Sequence, residues 1–290
     1  MLSAGTVIEG SFRLLRERPM AVAIWGLVYL AIQVATTLTM GPMMDPAALS
    51  AGFSSVMGTF FLVQLFALII FIVLMTASQR AILRPRDEGL AYIGFGMDEL
   101  RVLGVTVIVA ILFYLLLIAI VLAVSLFAAG AAAALGTGGA VVSALLAIVI
   151  ALPLMIWIMV RLSLVTPLTF LRRKIIIGES WRLTKGHFWS LFGAYLVVFV
   201  ILMVIGIAVG VVTTGSYFAA LIESMGNPDA TEAAMQQQLE AMQSISLMTI
   251  LGWVLGAISG ALTVALSGGA MATAARELTG DQEAIADTFA

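Results

Sequence analysis

The sequence predicts an all-α fold, a polytopic bundle of transmembrane helices with six spans. Three observations support this prediction: the composition, six long uncharged segments, and the placement of the basic residues. Hydrophobic residues make up 62% of the 290 residues, and charged residues only 10%. A soluble domain carries roughly 25% charged residues because its surface faces water. Lipid is therefore the expected solvent for most of this chain.

Six uncharged apolar segments provide the predicted spans. A helix needs about 20 apolar residues to cross the hydrocarbon core, and none of the six contains Asp, Glu, Lys, Arg or His. A Gly- and Ala-rich stretch at 130–139 is expected to form the turn between the third and fourth spans. One membrane domain then covers residues 1–275, and residues 276–290 form an acidic cytoplasmic tail. The spans are expected at about 19–40, 56–77, 102–129, 140–160, 188–212 and 245–271.

The basic residues predict the orientation of the spans. All fourteen lie before the first span, between the second and third, between the fourth and fifth, or after the sixth. The other connections carry only acids, among them Asp45 and Asp229. Because Lys and Arg accumulate on the cytoplasmic side of a membrane, Arg84, Arg173 and both termini are expected to face the cytoplasm.

A short amphipathic helix is predicted before the first span. Thr6 and Glu9 have the spacing of a capping box, in which two side chains satisfy free N–H groups at a helix start. Ile8, Phe12 and Leu15 then fall on one face of the helix. The pattern is typical of a helix that lies in the membrane interface.

Similar basic entry segments suggest an internal repeat. Residues 11–14 (Ser-Phe-Arg-Leu) align with residues 180–183 (Ser-Trp-Arg-Leu), and residues 100–102 are a weaker echo before the third span. We infer three degenerate repeats of an interfacial helix followed by a transmembrane hairpin. The alternative is that any basic amphipathic entry helix has this pattern.

Glycines at helical spacing predict close helix packing. Gly252, Gly256 and Gly260 share one face of the sixth span, and Gly206 and Gly210 share one face of the fifth. Small residues at this spacing let helix backbones approach closely. Packing between spans of one chain is the simpler interpretation, and a homodimer seam is the alternative.

The side chains within the spans limit the chemistry. Polar residues there are uncharged, such as Gln33, Gln64 and Tyr114, and they form either helix contacts or the lining of a path. Intramembrane charge usually marks a proton relay, so its absence argues against a proton-coupled pump. The chain has no cysteine and a single histidine, His187, so neither a metal site nor another cofactor is expected.

The inner segment between the fourth and fifth spans carries a concentrated basic patch beside two tryptophans, Trp181 and Trp189. Basic residues near an anionic leaflet contribute on the order of 1 kcal/mol each, and Trp prefers the headgroup level. Binding of lipid headgroups or phosphate is the functional hypothesis, and topology-setting charge is the alternative. The candidate residues are Arg172, Arg173, Lys174, Arg182 and Lys185.

Residues 161–167 (RLSLVTP) and 178–189 (GESWRLTKGHFW) resemble the membrane domain that precedes some bacterial glycerophosphoryl diester phosphodiesterases and also occurs alone. The resemblance implies six spans in a bacterial inner membrane and a role in glycerophosphodiester or phospholipid handling. It does not imply an enzyme, because the phosphodiesterase chemistry belongs to a separate soluble barrel. An acidic residue is usual shortly after the proline in that family, whereas residues 171–174 here are Leu-Arg-Arg-Lys.

Two functions follow as hypotheses. In the first, the protein is non-catalytic and binds anionic lipid or a protein partner through its basic cytoplasmic face; a homo-oligomer is compatible with it, and no nucleic-acid partner is expected. The second is a permease or flippase for a lipid-related or small amphipathic substrate, with a cavity between the repeats. An intramembrane enzyme is disfavoured because the spans offer almost no acid, base or nucleophile.

Overall fold

The computed structural model describes residues 2–44, 46–87, 89–223 and 245–289, and these ranges are all-α. Asp45 and Asp229, expected on the outer side, lie outside the described residues. A 3-10 turn spans Leu90–Tyr92. The α-helices are α1 (Ala4–Glu17), α2 (Pro19–Met44), α3 (Pro46–Leu83), α4 (Met97–Leu162), α5 (Val165–Arg172), α6 (Ile177–Leu183), α7 (Phe188–Glu223) and α8 (Leu247–Phe289).

Five helical segments within the described ranges are long and apolar enough to cross a membrane. The chain is therefore a multi-pass membrane protein. Both predicted segments 102–129 and 140–160 fall within one of the five, and α8 extends through most of the segment assigned to the tail. The five segments are Pro19–Met40, Ser54–Leu83, Leu90–Arg172, Phe188–Gly215 and Leu247–Gly280.

The turn expected over 130–139 is wrong, because this segment lies within helix α4. Residues on either side of Gly136 are helical, and the break is confined to Gly136 with φ 73° and ψ −168°. This region of backbone space is accessible to glycine and strained for other residues. Residues 120–127 and 143–154 line one apolar groove of about 370 Å³, so the two arms of α4 lie side by side. The chain thus changes direction at one glycine instead of over a ten-residue turn.

The start of α1 lies earlier than the capping box predicted. Ser3 Oγ accepts the backbone N–H of Thr6 at 3.1 Å, so Ser3 is the capping residue and Thr6 lies inside the helix. The fully buried face is Val7, Ser11 and Leu14, one position away from the predicted face of Ile8, Phe12 and Leu15, which is half-buried. The sequence pattern did not identify this face, because a helix face is predicted from apolar residues and Ser11 is polar.

The chain forms two compact units. One comprises Met1–Val7, Phe95–Gly193 and Met271–Ala290, and the other comprises Ile8–Gly94 and Ala194–Ala270. The second unit contains α2 and α3 with the 3-10 turn packed against both. Trp25 Nε1 donates to Ala91 O at 3.0 Å, and Arg80 Nη1 donates to Tyr92 O at 2.6 Å. These bonds fasten the turn to both helices.

Two glycines of α8 meet side chains of α2 within this unit. A Cβ added at Gly260 would lie 2.6 Å from Tyr29 Cδ1, and one added at Gly256 would overlap the side-chain amide of Gln33. Contacts this short do not occur for real Cβ atoms, so glycine is what permits the approach of the two helices.

The other predicted packing glycines differ from this pair. A Cβ at Gly252 would make an ordinary 3.6 Å contact with Thr213 Cγ2. Within the described ranges, nothing lies within 4 Å of a Cβ at Gly206 or Gly210. The packing expected of this α7 pair is therefore not found between described parts of the chain, and the homodimer seam remains a hypothesis.

Two further close contacts of α8 were not predicted. A Cβ at Gly268 would overlap Ser78 Oγ, and one at Gly269 would lie 3.1 Å from Ser11 Cα. Both serines are fully buried. Gly268 continues the four-residue period of Gly252, Gly256 and Gly260, but Val264 interrupts the run of glycines, and Gly269 lies off the period.

Candidate functional site

Two short helices, α5 and α6, position the basic patch in the first unit. Helix α5 was not predicted as a separate element, and five of its eight residues are buried. Both short helices contact the end of α4 and each other. Ser180 Oγ donates to Arg161 O at 2.7 Å and ties α6 to α4. The packed faces of α5 and α6 leave the loop between them, and the end of α6, at the surface.

All five predicted patch residues are exposed at this surface. Three of them end α5 and begin the following loop, and two lie at the end of α6. The structure therefore brings the two halves of the patch onto neighbouring elements. We define the basic patch as Arg172, Arg173, Lys174, Arg182 and Lys185.

One patch residue is paired. Arg172 Nη2 lies 3.4 Å from Glu179 Oε1, with side-chain exposures of 39% and 14%. Glu179 on α6 thereby neutralises part of the charge of α5, which the sequence analysis did not anticipate. The signal was available in the seven-residue spacing, but only the turn between α5 and α6 brings the two side chains together.

Arg173 ends α5 in the left-handed conformation with φ 54° and ψ 29°. Helices commonly end on such a residue, and glycine is the usual occupant because it has no Cβ penalty. The penalty for other residues is about 1–2 kcal/mol. The backbone conformation therefore gives no reason for arginine at this position.

The other four cations of the patch have no carboxylate partner among the described residues. Arg173, Lys174, Arg182 and Lys185 make no ion pair within 4 Å there, whereas three arginines outside the patch are paired: Arg13 with Glu17, Arg101 with Asp98 and Arg276 with Glu277. Like charges gathered without partners repel one another, so the surface favours an external anion.

Exposed aromatic rings border the patch. Trp181 on α6 is 41% exposed and Trp189 at the start of α7 is 78% exposed. Trp189 packs edge-on against Phe188 and Phe192, with centroid distances of 5.2 and 6.0 Å. Tryptophan is enriched at the level of the lipid headgroups in membrane proteins.

The sequence analysis overlooked Arg161 as a site residue. Its guanidinium lies over Trp157 and Trp181, with Cζ 5.3 and 5.8 Å from the ring centroids, and the two rings meet edge-to-face at 5.0 Å. Such cation–π contacts contribute about 0.5–2 kcal/mol each. The available signal was Trp157, one helical turn before Arg161.

The hydrogen bonds of Arg161 are weak and incomplete. Nη1 donates to Trp181 O at 3.4 Å and to Thr184 Oγ1 at 3.5 Å, both beyond the usual 2.7–3.2 Å range. Nε is buried with no acceptor. No described carboxylate pairs with this charge.

The polar residues of the predicted spans, Gln33, Gln64 and Tyr114, differ in exposure. In the second unit, Gln33 packs toward Gly256 and Gln64 is exposed. In the first unit, Tyr114 is 64% exposed. None of the three lines either of the two apolar grooves seen in the described residues.

Comparisons of the chain with protein-family models, curated proteins and solved structures found no match. The resemblance to the membrane domain of glycerophosphoryl diester phosphodiesterases therefore remains a proposal based on residues 161–167 and 178–189.

Proposed function

We propose that this protein is a non-catalytic inner-membrane protein that binds anionic phospholipid headgroups through the basic patch. The observation that carries the proposal is the set of four exposed cations without a described carboxylate partner, bordered by exposed tryptophans. An anion completes the charge balance of such a surface, and the tryptophans place it where headgroups are available.

The proposal includes six spans with both termini in the cytoplasm. Helix α4 has 66 residues, which corresponds to about 100 Å at 1.5 Å per residue. The hydrocarbon core is about 30 Å thick, so one straight span cannot accommodate it. Counting its two arms as separate spans puts every Lys and Arg on one side, which supports a cytoplasmic patch.

The charge of the patch is sufficient for lipid selectivity. At about 1 kcal/mol per basic residue near an anionic leaflet, four unpaired cations contribute about 4 kcal/mol. Arginine adds bidentate contacts to phosphate oxygens, whereas lysine acts as a point charge. The resemblance noted above supports a role in glycerophosphodiester or phospholipid handling.

The alternative function, a permease, finds no support from the residues expected to line its path. Gln33 is engaged with α8, and Gln64 and Tyr114 are exposed. The two described grooves are lined by apolar side chains.

The test is the triple variant Arg172→Gln, Arg173→Gln and Lys174→Gln, extracted mildly and analysed for co-purified lipid. We expect insertion to be intact and anionic lipid to decrease relative to neutral lipid, with wild-type binding weakened by added salt.

The matched control neutralises three exposed arginines elsewhere on the expected cytoplasmic side: Arg13→Gln, Arg16→Gln and Arg86→Gln. It should retain anionic lipid close to the wild-type level. Wild-type lipid content in the patch variant, or an equal loss in both variants, would show that the patch is only a topology signal.

A further inference from the structure

The basic patch attracts anions, but its exposed, flexible side chains do not by themselves define a binding position. A defined position requires a side chain whose rotamer is held by packing. Arg161 meets this requirement, because its guanidinium lies over two indole rings that contact each other and its Nε is buried.

We propose that Arg161, whose guanidinium lies over Trp157 and Trp181, is the residue that coordinates the phosphoryl group at this site. This inference rests on the proposed function and specifies the ligand chemistry: a phosphate ester, supplied either by a lipid headgroup or by a free phosphate compound.

The donor inventory of Arg161 supports the assignment. A guanidinium has five N–H donors. Nε is occluded and Nη1 makes two long bonds to α6. Nη2 makes no hydrogen bond within the described residues, and it is not among their buried unsatisfied atoms. Its two donors are therefore accessible, and a phosphate oxygen is the acceptor that suits them.

The charge balance points the same way. Arg161 is half-buried and has no carboxylate within ion-pair range among the residues described. Arg101, the comparable half-exposed arginine at the start of α4, pairs with Asp98 at 2.8 Å. Leaving a partly desolvated cation without a counter-charge is unfavourable, and a phosphoryl group removes that penalty.

The position of Arg161 also suits this ligand. Arg161 donates to groups at the end of α6, close in sequence to Arg182 on that helix and to Lys185 just after it. Trp181, which covers the guanidinium, is itself 41% exposed. The patch would concentrate phosphate esters at the interface, and Arg161 would bind one of them in a fixed geometry.

The experiment uses the full chain, purified in a neutral detergent and stripped of lipid. It is titrated with phosphatidylglycerol in mixed micelles, with phosphatidylcholine micelles in parallel, and bound lipid is counted by native mass spectrometry. Arg161→Lys keeps the charge and removes the planar fork. We expect its affinity for phosphatidylglycerol to fall about tenfold, which corresponds to about 1.4 kcal/mol, at an unchanged melting temperature.

Competition with inorganic phosphate distinguishes the two sources of the ligand. Displacement of lipid from the wild type, lost in Arg161→Lys, identifies a site that accepts free phosphoryl groups. A phosphatidylglycerol preference lost in Arg161→Lys without displacement by phosphate identifies a site for lipid headgroups. Both results support the assignment of Arg161.

The control is Arg101→Lys, which changes an arginine that already has a carboxylate partner and should bind phosphatidylglycerol as the wild type does. Equal affinity of Arg161→Lys and the wild type would overturn the inference. So would a lower melting temperature with equal loss of both lipids, since Arg161 would then only dock α6. If the triple patch variant loses anionic lipid while Arg161→Lys does not, the proposed function stands and this inference fails.

Discussion

Substitution of Gly260 by leucine should destabilise the packing of α8 on α2. A Cβ at this position would lie 2.6, 2.7 and 2.8 Å from three carbons of the Tyr29 ring. Optimal carbon–carbon separation is about 3.5–4.0 Å, so a single added carbon already forces the ring or the helix to move by about 1 Å. Leucine adds three more carbons at the same place.

The expected cost is graded along the glycine face. Overpacking costs about 1–3 kcal/mol, and Gly260→Leu should lie at the upper end because an aromatic ring cannot give way locally. Gly256→Leu should cost about 1–2 kcal/mol, since the Gln33 amide that it meets is the end of a flexible side chain. Gly252→Leu, which meets only Thr213 at 3.6 Å, should cost least.

The assay is the apparent melting temperature of the detergent-solubilised chain, measured for the three variants and for Gly206→Leu. Gly206 is a matched control, because it also lies within a long apolar helix but a Cβ there has no described neighbour within 4 Å. We expect the melting temperatures to increase from the Gly260 variant through the Gly256 variant to the Gly252 variant, with the control close to the wild type.

The expected loss of stability depends on the close approach of the two helices and not on glycine as such. If Gly260→Leu melts at the same temperature as Gly206→Leu, the α2–α8 contact does not contribute to stability and the reasoning is refuted. If all four variants melt equally low, the effect belongs to helix composition and the contact geometry is irrelevant.

Three further predictions concern topology, a buried hydrogen bond and the patch. Single cysteines introduced into this cysteine-free chain should be labelled from the cytoplasmic side at Arg173 and from the outer side at Asp229. Thr37→Val should destabilise the protein by about 1 kcal/mol, because it removes the acceptor of Trp253 Nε1 at 2.9 Å. Glu179→Gln should increase the retention of anionic lipid while changing stability by less than about 1 kcal/mol, since its ion pair is partly exposed.

Each of these predictions has a control or a contradicting result. Outer labelling at Arg173 would contradict the orientation. Thr39→Val, whose hydroxyl bonds only to its own helix, should leave the melting temperature closer to the wild type than Thr37→Val does. Glu17→Gln removes an exposed ion pair with Arg13 and should leave lipid retention unchanged. Equal lipid retention in the Glu179 and Glu17 variants would show that the charge of the patch does not determine lipid binding.

The class of fold and the position of the helices were predictable because they depend on local composition. Lipid imposes a minimum apolar length on each span, and this length appears directly in the sequence. Five of the six predicted segments fall within the long helical segments of the structure, and the sixth, 245–271, begins two residues before Leu247–Gly280. The boundary of α1 was missed by three residues, because Ser3 and Thr6 are both acceptable capping residues and the choice depends on which face packs.

The members of the basic patch were predictable from charge alone, and all five are exposed. The ion pair between Arg172 and Glu179 was not predictable from charge alone. Glu179 is seven residues from Arg172 in the sequence, and only the turn after α5, with Arg173 in the left-handed conformation, brings them to 3.4 Å. The sequence analysis therefore counted five equivalent charges where the structure separates one paired cation from four others.

The sequence by itself determined that this is a membrane protein, that it is helical, and that its basic residues lie in alternate connections. Each of these properties depends on the composition of short stretches of the chain. The tertiary structure decided which of those residues meet. Gly256 and Gly260 became contact positions while Gly206 and Gly210, at the same spacing, did not. The guanidinium of Arg161 lies over Trp181, which is 20 residues away in the sequence, because α6 folds back onto the end of α4. Such partners are set by the packing of distant segments, which no local pattern of residues encodes.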